Sequence, residues 1–322
     1  MKVAAVIPQW NRSDLLRALL EDLTRQTRPF DEVIVVDNGS VDDSAKVAEA
    51  AGASVIRLGS NLGFAVAVNR GVAVAADAEW VAILNNDVAL DASWLEALLE
   101  GSGERWFATG KILKASDAAV IDGSFDEISR GACACRCGSG KRDSLVWNVS
   151  REIRMAPMTA LLVRRALFEE LGGLDESFGS YLEDVDFGLR CALAGRGGIY
   201  IPKAVARHAG SSTLGAWNKD TVRLIARNQV LLAAKHFQGQ PRWPIVVGQL
   251  LWGLLALRHG RGWSYLRGKL DGLRAARGVA VSPVAPEAVA KVVGESERAL
   301  FEIQKQSGFD NYWRAYFWLC AR

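Results

Sequence analysis

The first hundred residues alternate between short apolar runs and stretches with helical spacing, and this alternation constrains the fold more than any other feature. Apolar runs of four or five residues are typical of buried strands, whereas apolar residues three and four apart indicate amphipathic helices. Repeated strand–helix units predict an α/β fold with a parallel, right-handed, doubly wound sheet. The predicted strands are Val3–Ile7, Val33–Val36, Ser54–Leu58 and Trp80–Leu84, and the predicted helices between them cover residues 15–23, 43–51 and 64–76.

Small polar residues follow three of these strands. They fall at the carboxyl ends of the strands, which is where ligands bind in doubly wound sheets. Each cluster alone is equally well explained by the need for turn residues at the end of a strand. Three clusters at one sheet edge favour a binding site. The clusters are Pro8-Gln9-Trp10-Asn11, Asp37-Asn38-Gly39-Ser40 and Asn85-Asn86-Asp87.

Residues 105–150 show no clear periodicity. They include Cys133, Cys135 and Cys137 in a stretch rich in Gly and Ser. This spacing lacks the C-x-x-C arrangement of common zinc sites. We therefore expect a mobile loop with incidental thiols. Further on, Glu183–Asp186 is acidic and precedes helical spacing, and capping of a helix N-terminus is the plain explanation for such acids. Ile199–Pro202 predicts another short strand, which His208 follows.

The last third of the chain predicts helices of a different kind. An amphipathic helix over residues 221–236 is followed by the nearly apolar stretch Pro244–Leu257 and the basic, aromatic-bearing stretch Arg258–Arg277. An apolar helix beside a basic one is typical of segments that lie in a membrane interface. The alternative is a packed helical subdomain with a solvated basic face. Because no run reaches the roughly 20 apolar residues that span a bilayer, we expect peripheral contact and no crossing.

Composition and missing motifs exclude several classes of protein. A formal net charge of +3 does not indicate a nucleic-acid-binding protein. Neither the G-x-G-x-x-G fingerprint nor the P-loop motif is present, which argues against a nicotinamide dehydrogenase and a P-loop enzyme. Five cysteines with no preceding secretory signal favour a reducing, cytoplasmic setting, at the inner face of the plasma membrane if lipid is contacted.

Without these motifs, the remaining way to bind a phosphate-bearing ligand is through carboxylates that hold a cation. Asp87 is a candidate ligand for a divalent cation that neutralises a diphosphate. Asp37 is a candidate acceptor for a base N–H, and Trp10 a surface for the nucleotide. His208 follows a strand and precedes Gly and Ser, so it is a candidate ligand or phosphate donor, although such a histidine is structural about half the time. Asp184 is a candidate general base.

The ordered set of these segments resembles the family 2 glycosyltransferases with the GT-A fold, in their rhamnosyltransferase-like bacterial group. Each segment alone is weak evidence for the family. Together the segments follow the order found in the family and cover about the first 215 residues. The matching segments are Val6–Arg12, Val35–Ser40 with Asp42, Asn61–Ala65 with Asn69–Gly71, Leu84–Asp87, Gly172–Glu176, Glu183–Asp186 with Leu189 and Arg190, and His208 with Gly210, Ser211 and Ser212.

This resemblance implies an inverting transfer of a sugar from a nucleotide-sugar donor, dTDP-rhamnose or a UDP-sugar, to a hydroxyl of a glycan or lipid-linked acceptor, as in cell-wall or polysaccharide biosynthesis. It makes Asp184 the catalytic base, with Glu183 beside it as a partner of the backbone or the acceptor. It places Mg²⁺ or Mn²⁺ at Asp87 and His208. It implies nucleotide-sugar contacts from Pro8, Gln9, Trp10, Asn11, Arg12, Asp37, Asn38, Asn61, Phe64, Asn69, Asn86 and Asp87.

The same resemblance implies a division of the chain. Residues 1–215 are expected to form the catalytic domain, with a donor half over about 1–104 and an acceptor half over 105–215, and residues 216–322 a helical C-terminal region. Asn85 and Asn86 depart from the family's D-x-D motif, and because Asn supplies an oxygen without charge, weaker metal affinity is expected.

Two other functions compete with this one. The first is a non-catalytic nucleotide-sugar-binding protein with a decayed metal site. The presence of Asp184 argues against it, because a protein without activity need not keep a base. The second is a sugar nucleotidyltransferase, which would need a Gly-rich basic loop where Gln9–Arg12 stands.

Overall fold

The computed structural model of the protein describes residues 1–210 and 217–320. The chain forms two compact units. The first contains residues 1–125, 138–191 and 195–210, and the second contains residues 126–137, 192–194 and the described residues after 210. The second unit therefore includes residues 126–137, although the sequence suggested one boundary near residue 215.

Twelve strands occur in the described residues. In chain order they are β1 (Val3–Gln9), β2 (Glu32–Asp37), β3 (Ser54–Arg57), β4 (Trp80–Leu84), β5 (Val88–Leu90), β6 (Phe107–Lys114), β7 (Asp117–Gly123), β8 (Asp126–Ile128), β9 (Ala134–Arg136), β10 (Arg151–Ile153), β11 (Ala160–Arg164) and β12 (Gly198–His208).

The described helices lie between and after these strands. They are α1 (Ser13–Thr24), α2 (Ser44–Ala50), α3 (Phe64–Val74), α4 (Trp94–Ser102), α5 (Arg165–Glu170), α6 (Glu183–Leu193), α7 (Lys219–His236), α8 (Arg242–Arg258), α9 (Gly262–Ala275), α10 (Pro286–Ser307) and α11 (Asn311–Cys320), with short 3₁₀ helices at Leu145–Asn148, Glu176–Phe178 and Ala276–Gly278.

A single sheet organises the first unit, in the order β10-β12-β6-β11-β4-β1-β2-β3, with β5 added on β12 and β7 on β6. Strands β3, β2, β1 and β4 are parallel, and Val6 at the centre lies opposite Ile34 and Ile83. Beyond β4 the sheet is mixed, because β11 runs antiparallel to both β4 and β6. The α/β fold is confirmed, and the doubly wound parallel arrangement belongs to its N-terminal part.

Helices pack on this sheet through small and apolar residues. Leu16 and Leu19 on one face of α1 are fully buried in the core beneath the parallel strands. On α3, Gly71 allows a very close approach, because a Cβ there would lie 2.3 Å from Cγ1 of Val6. This close approach allows α3 to lie directly against β1.

The prediction of a mobile loop around the three cysteines is wrong. Strands β8 and β9 form an antiparallel hairpin in the second unit, with Asp126 opposite Arg136. Cys133, Cys135 and Cys137 are all buried. The alternation of cysteine with other residues is itself the period of a strand, and the Gly- and Ser-rich surroundings concealed it.

Helices α7, α8 and α9 follow the predicted segments closely. Glycines Gly268 and Gly272 on α9 allow it to pack tightly on α7, since added Cβ atoms would lie 2.2 Å from the Arg223 oxygen and 2.6 Å from the Arg227 oxygen. Helix α8 covers the apolar stretch that was predicted from Pro244. None of the helices in the described part of the chain is long and apolar enough to cross a bilayer.

Candidate active site

Gln9 joins the three polar clusters at the carboxyl edge of the parallel strands. It is buried at the end of β1, and its Nε2 donates to Oγ of Ser44 at 2.7 Å. Its Oε1 accepts from Nδ2 of Asn86 at 2.8 Å, and its backbone oxygen accepts from the Asn38 amide at 2.7 Å. The structure thus brings the clusters after β1, β2 and β4 together, as predicted, although Gln9 itself is occupied by structural bonds.

Asn38 attaches a second loop to this edge. Its Nδ2 donates to Oδ1 of Asn61 and to the Gly63 oxygen, each at 3.1 Å, and its Oδ1 accepts from the Leu62 amide at 2.8 Å. Gly63 has a φ of 94°, and a Cβ there would lie 2.9 Å from the oxygen of Gly179. Only glycine fits this approach, so the loop that ends at α3 is fixed against residue 179.

The loop after β1 is conformationally strained. Asn11 and Arg12 both have left-handed φ values, 56° and 61°. Trp10 beside them is 38% exposed, so part of its indole is open to a ligand. Arg12 pairs with Asp14 at 2.9 Å, and this ion pair raises the pKa of the guanidinium. Strain of this kind is concentrated at ligand sites, where surrounding contacts hold it.

Asp42 supports the same loop by capping two helices. Its Oδ2 accepts the Ser13 amide at 2.8 Å, and its Oδ1 accepts the Ser44 amide at 3.1 Å. Burial alone would raise the pKa of Asp42, but these hydrogen bonds outweigh it and the pKa is lowered. The cap of α1 therefore comes from the β2–α2 loop and not from a residue beside the helix.

Asp37 is nearly buried at the end of β2, and its Oδ1 accepts the Ser40 amide at 2.9 Å. Pro8 is half-buried in β1, in register with Val36. Both residues lie at the predicted edge. Their contacts with a nucleotide base stay a prediction.

Asp87 and His208 are brought together by strand pairing. Strand β5 runs antiparallel to β12 with Val88 opposite His208, so Asp87 lies next to the imidazole. Nε2 of His208 is 3.1 Å from Oδ1 of Asp87, and its Nδ1 is 2.7 Å from Oδ2 of Asp122 on β7. Burial lowers the pKa of His208, but the hydrogen bonds with Asp122 and Asp87 outweigh it and raise the pKa to about 9.

The donor set of this pair fits a divalent cation only in part. Within residues 1–210 and 217–320, no three His, Cys, Asp or Glu side chains are arranged to hold a metal ion. Mg²⁺ and Mn²⁺ nevertheless bind through one or two carboxylates and complete their shell with substrate phosphates and water. Asp87 and His208 supply one oxygen and one nitrogen donor, which fits a cation shared with a diphosphate.

Asp122 was not predicted from the sequence as a site residue. It contacts His208 only because β6 pairs with β7 on one side and β12 on the other. The available signal was that Asp122 directly follows the apolar residues of strand 117–123, which also begins with an acid, Asp117. A carboxylate on the second nitrogen of a histidine fixes the orientation of the ring, and ligand histidines are commonly held in this way.

The three acids of the first turn of α6 differ in access to solvent. Glu183 is only 6% exposed, and Asp186 is fully buried, with its carboxylate 2.9 Å from Nε of Arg190. Asp184 is half-buried and its Oδ1 accepts the Val185 amide at 2.9 Å. Asp184 is therefore the carboxylate of the three that a substrate can most readily reach.

A strained loop precedes these acids. Tyr181 and Leu182 have φ values of 71° and 65°, and neither residue is glycine. The loop is fastened to the start of α3, where the Phe64 amide donates to Oγ of Ser180 at 3.2 Å and the Ala65 amide donates to the Gly179 oxygen at 3.0 Å. Phe64 thus lies between the Asn38 side of the edge and the acids of α6.

Asn69 has a structural role farther along α3. Its Nδ2 donates to the Leu174 oxygen at 2.9 Å and to Oε1 of Glu176 at 3.1 Å, and its Oδ1 accepts the Leu174 amide at 2.9 Å. These bonds hold the Gly172–Glu176 segment, so a contact of Asn69 with the donor stays a prediction. Ser211 and Ser212 lie outside the described residues.

Comparisons with known proteins identify the family of this chain. Residues 4–131 match the family described as glycosyl transferase family 2, and residues 140–275 match glycosyl transferase family group 2. An N-acetylglucosaminyl-diphospho-decaprenol L-rhamnosyltransferase of Mycobacterium tuberculosis is 30% identical over 277 residues, which are 76% of this chain and 87% of the relative.

Solved structures show the same fold. The mannosyltransferase PcManGT from Pyrobaculum calidifontis, in complex with GDP-Man and Mn²⁺, aligns with a TM-score of 0.53 at 17% identity, over 98% of this chain and 85% of that one. GalNAc-T7 with UDP, GalNAc and Mn²⁺ aligns with a TM-score of 0.64 at 13% identity, over 96% of this chain and 58% of that one. Both are GT-A glycosyltransferases.

Proposed function

Because this chain belongs to glycosyltransferase family 2, we propose that it transfers a sugar, with inversion, from dTDP-rhamnose or a UDP-sugar to a hydroxyl of a glycan or lipid-linked acceptor. The name of the mycobacterial relative supports rhamnose as the donor sugar and a lipid-linked diphosphate as the acceptor. The observation that carries the proposal is the contact of 3.1 Å between Asp87 and His208 at the carboxyl edge of the sheet.

The donor lies along that edge in this proposal. The nucleoside packs on exposed Trp10 and hydrogen-bonds to Asp37, and the diphosphate faces Asp87 and His208. Asp87 and His208 would hold Mg²⁺ or Mn²⁺, as the Mn²⁺ in both structural neighbours suggests. Such a cation, when bound, neutralises charge on the departing diphosphate. Asp122 keeps the His208 ring oriented toward it.

Asp184 acts as the general base. It takes the proton of the acceptor hydroxyl as that oxygen attacks the anomeric carbon, and the bond to the nucleoside diphosphate breaks on the opposite face. Attack from the opposite face inverts the anomeric configuration. Its partial exposure supports this role, whereas buried Glu183 is better suited to holding the backbone of the turn.

Peripheral membrane contact through residues 243–277, at the inner face of the plasma membrane, belongs to the same proposal. Helices α8 and α9 cover this segment and carry exposed apolar side chains beside arginines. A lipid-linked acceptor would require an enzyme that works at a bilayer surface.

A thermal-shift screen with UDP-, dTDP- and GDP-sugars, each with and without Mn²⁺ or Mg²⁺, tests donor binding. A ligand at about 100 times its dissociation constant stabilises the fold by roughly 2.7 kcal/mol, which such a screen detects. Donor that binds without any transfer to acceptor would favour the non-catalytic alternative.

Calorimetry on Asp87→Ala tests the cation site. Loss of this carboxylate should abolish metal-dependent binding of the nucleoside diphosphate. Asp43→Ala is the matched control, because Asp43 is an exposed aspartate of the same unit that pairs with Lys46. Unchanged metal-dependent affinity in Asp87→Ala would place the cation elsewhere.

A further inference from the structure

Two helices of the second unit expose a row of large apolar side chains each. The exposed fractions are 45–64% on α8 and 53–67% on α9. The spacing of three and four residues puts each row on one helical face, and a face of this composition normally packs against something. The rows consist of Trp243, Val246, Leu250, Leu254 and Leu257 on α8, and of Trp263, Leu266, Leu270 and Leu273 on α9.

A cationic groove opens beside the α9 row. Its volume is about 300 Å³. Apolar and charged side chains line it together, so it can take an anionic group with an attached hydrocarbon. The lining residues are Arg223 of α7 and Trp263, Leu266, Arg267, Leu270, Asp271 and Arg274 of α9.

The charges of the groove are unequal. Asp271 is shared between two arginines, 2.6 Å from Nε of Arg223 and 3.4 Å from an Nη of Arg274. The guanidinium of Arg267 lies 5.3 Å from the centre of the Trp263 ring. Three arginines and one carboxylate line the groove, so it carries net positive charge beside the exposed leucines. Guanidinium groups bind phosphate with paired hydrogen bonds.

We propose that this groove binds the phosphate of an anionic phospholipid while the apolar rows of α8 and α9 enter the acyl layer. The inference rests on the membrane contact of the proposed function and adds a defined headgroup site to it. Charge complementarity identifies the occupant. A phospholipid phosphate satisfies the arginines, and its acyl chains cover Leu266 and Leu270, which line the same groove.

Vesicle sedimentation with paired variants separates a headgroup site from diffuse attraction. The vesicles contain phosphatidylcholine with or without phosphatidylglycerol. The groove variant is Arg267→Gln with Arg274→Gln. The control variant is Arg258→Gln with Arg277→Gln, which removes two exposed arginines of the same segment that do not line the groove. Circular dichroism melting confirms that both variants fold.

Salt distinguishes the two variants. At about 0.1 M salt each pair should weaken binding to phosphatidylglycerol vesicles by roughly 30-fold, since each surface charge contributes about fivefold. At about 1 M salt the screening length falls to about 3 Å, so diffuse attraction fades while direct contacts persist. The control variant should then match the wild type, and the groove variant should remain about tenfold weaker.

Three results overturn the inference in different ways. If both variants lose the same vesicle affinity at low salt, and both losses vanish at high salt, then only diffuse attraction operates and there is no headgroup site. If the wild-type protein sediments with neither kind of vesicle, the proposed membrane contact is wrong as well. Donor binding and sugar transfer are tested separately from this result. A stable dimer that Leu250→Ser with Leu254→Ser dissociates would show that a second copy covers the apolar rows.

Discussion

His208 should make the metal-free protein less stable as the pH rises above neutrality. Its imidazole lies between the carboxylates of Asp87 and Asp122, and these raise its pKa from 6.5 to about 9 against the effect of burial. The folded state therefore holds this proton more tightly than the unfolded state. The resulting stabilisation is complete below pH 6.5 and disappears as the pH rises through 9. A shift of this size corresponds to about 3 kcal/mol.

Urea unfolding of chelator-treated protein across this pH range measures the effect. The free energy of unfolding should fall by about 3 kcal/mol in the wild type between the two pKa values, and the fall should be absent in His208→Gln. His259→Gln is the matched control, since His259 is an exposed histidine of the second unit stacked on Trp217. It should keep the wild-type slope. An equal pH dependence of the free energy of unfolding in wild type and His208→Gln would refute the protonated His208 between Asp87 and Asp122.

Three further predictions concern the scaffold of the site. Asp186→Ala leaves the guanidinium of Arg190 without its carboxylate and should lower the free energy of unfolding by about 3–5 kcal/mol. A loss below about 1 kcal/mol would count against the buried ion pair. Gly63→Ala should cost about 1–3 kcal/mol and weaken donor binding, whereas Gly52→Ala, at a similar φ but in open space, should leave donor binding unchanged. Asp42→Ala should cost about 1–2 kcal/mol and speed amide exchange at the start of α1; unchanged exchange would contradict the capping role.

The sequence was sufficient for the parallel part of the sheet because its signals are local. The predicted strand Trp80–Leu84 matches β4, and the predicted helix from Phe64 ends within two residues of α3. The polar residues after β1, β2 and β4 could be grouped because parallel strands end at the same edge. The family assignment from these ordered motifs is confirmed by the comparisons.

Long-range pairing explains what the sequence did not reveal. Asp122 on β7 reaches His208 on β12 across the intervening strand β6, and no local pattern marks that contact. Asp42 caps α1 through the amide of Ser13, which is 29 residues away in the sequence, and no local pattern marks that bond. Strands β8 and β9 of the hairpin around Cys135 have only three residues each, which is too short for a periodic pattern to show in the sequence.

The measurement closest to the central claim compares Asp184→Asn with wild type in transfer rate, donor binding and melting temperature. Asparagine keeps the shape and caps a helix nearly as well as aspartate, so the fold and the donor affinity should survive. Loss of the base should lower the rate of transfer by about 10²–10⁴-fold. A stable Asp184→Asn enzyme with near-wild-type turnover would contradict the assignment of Asp184 as the catalytic base.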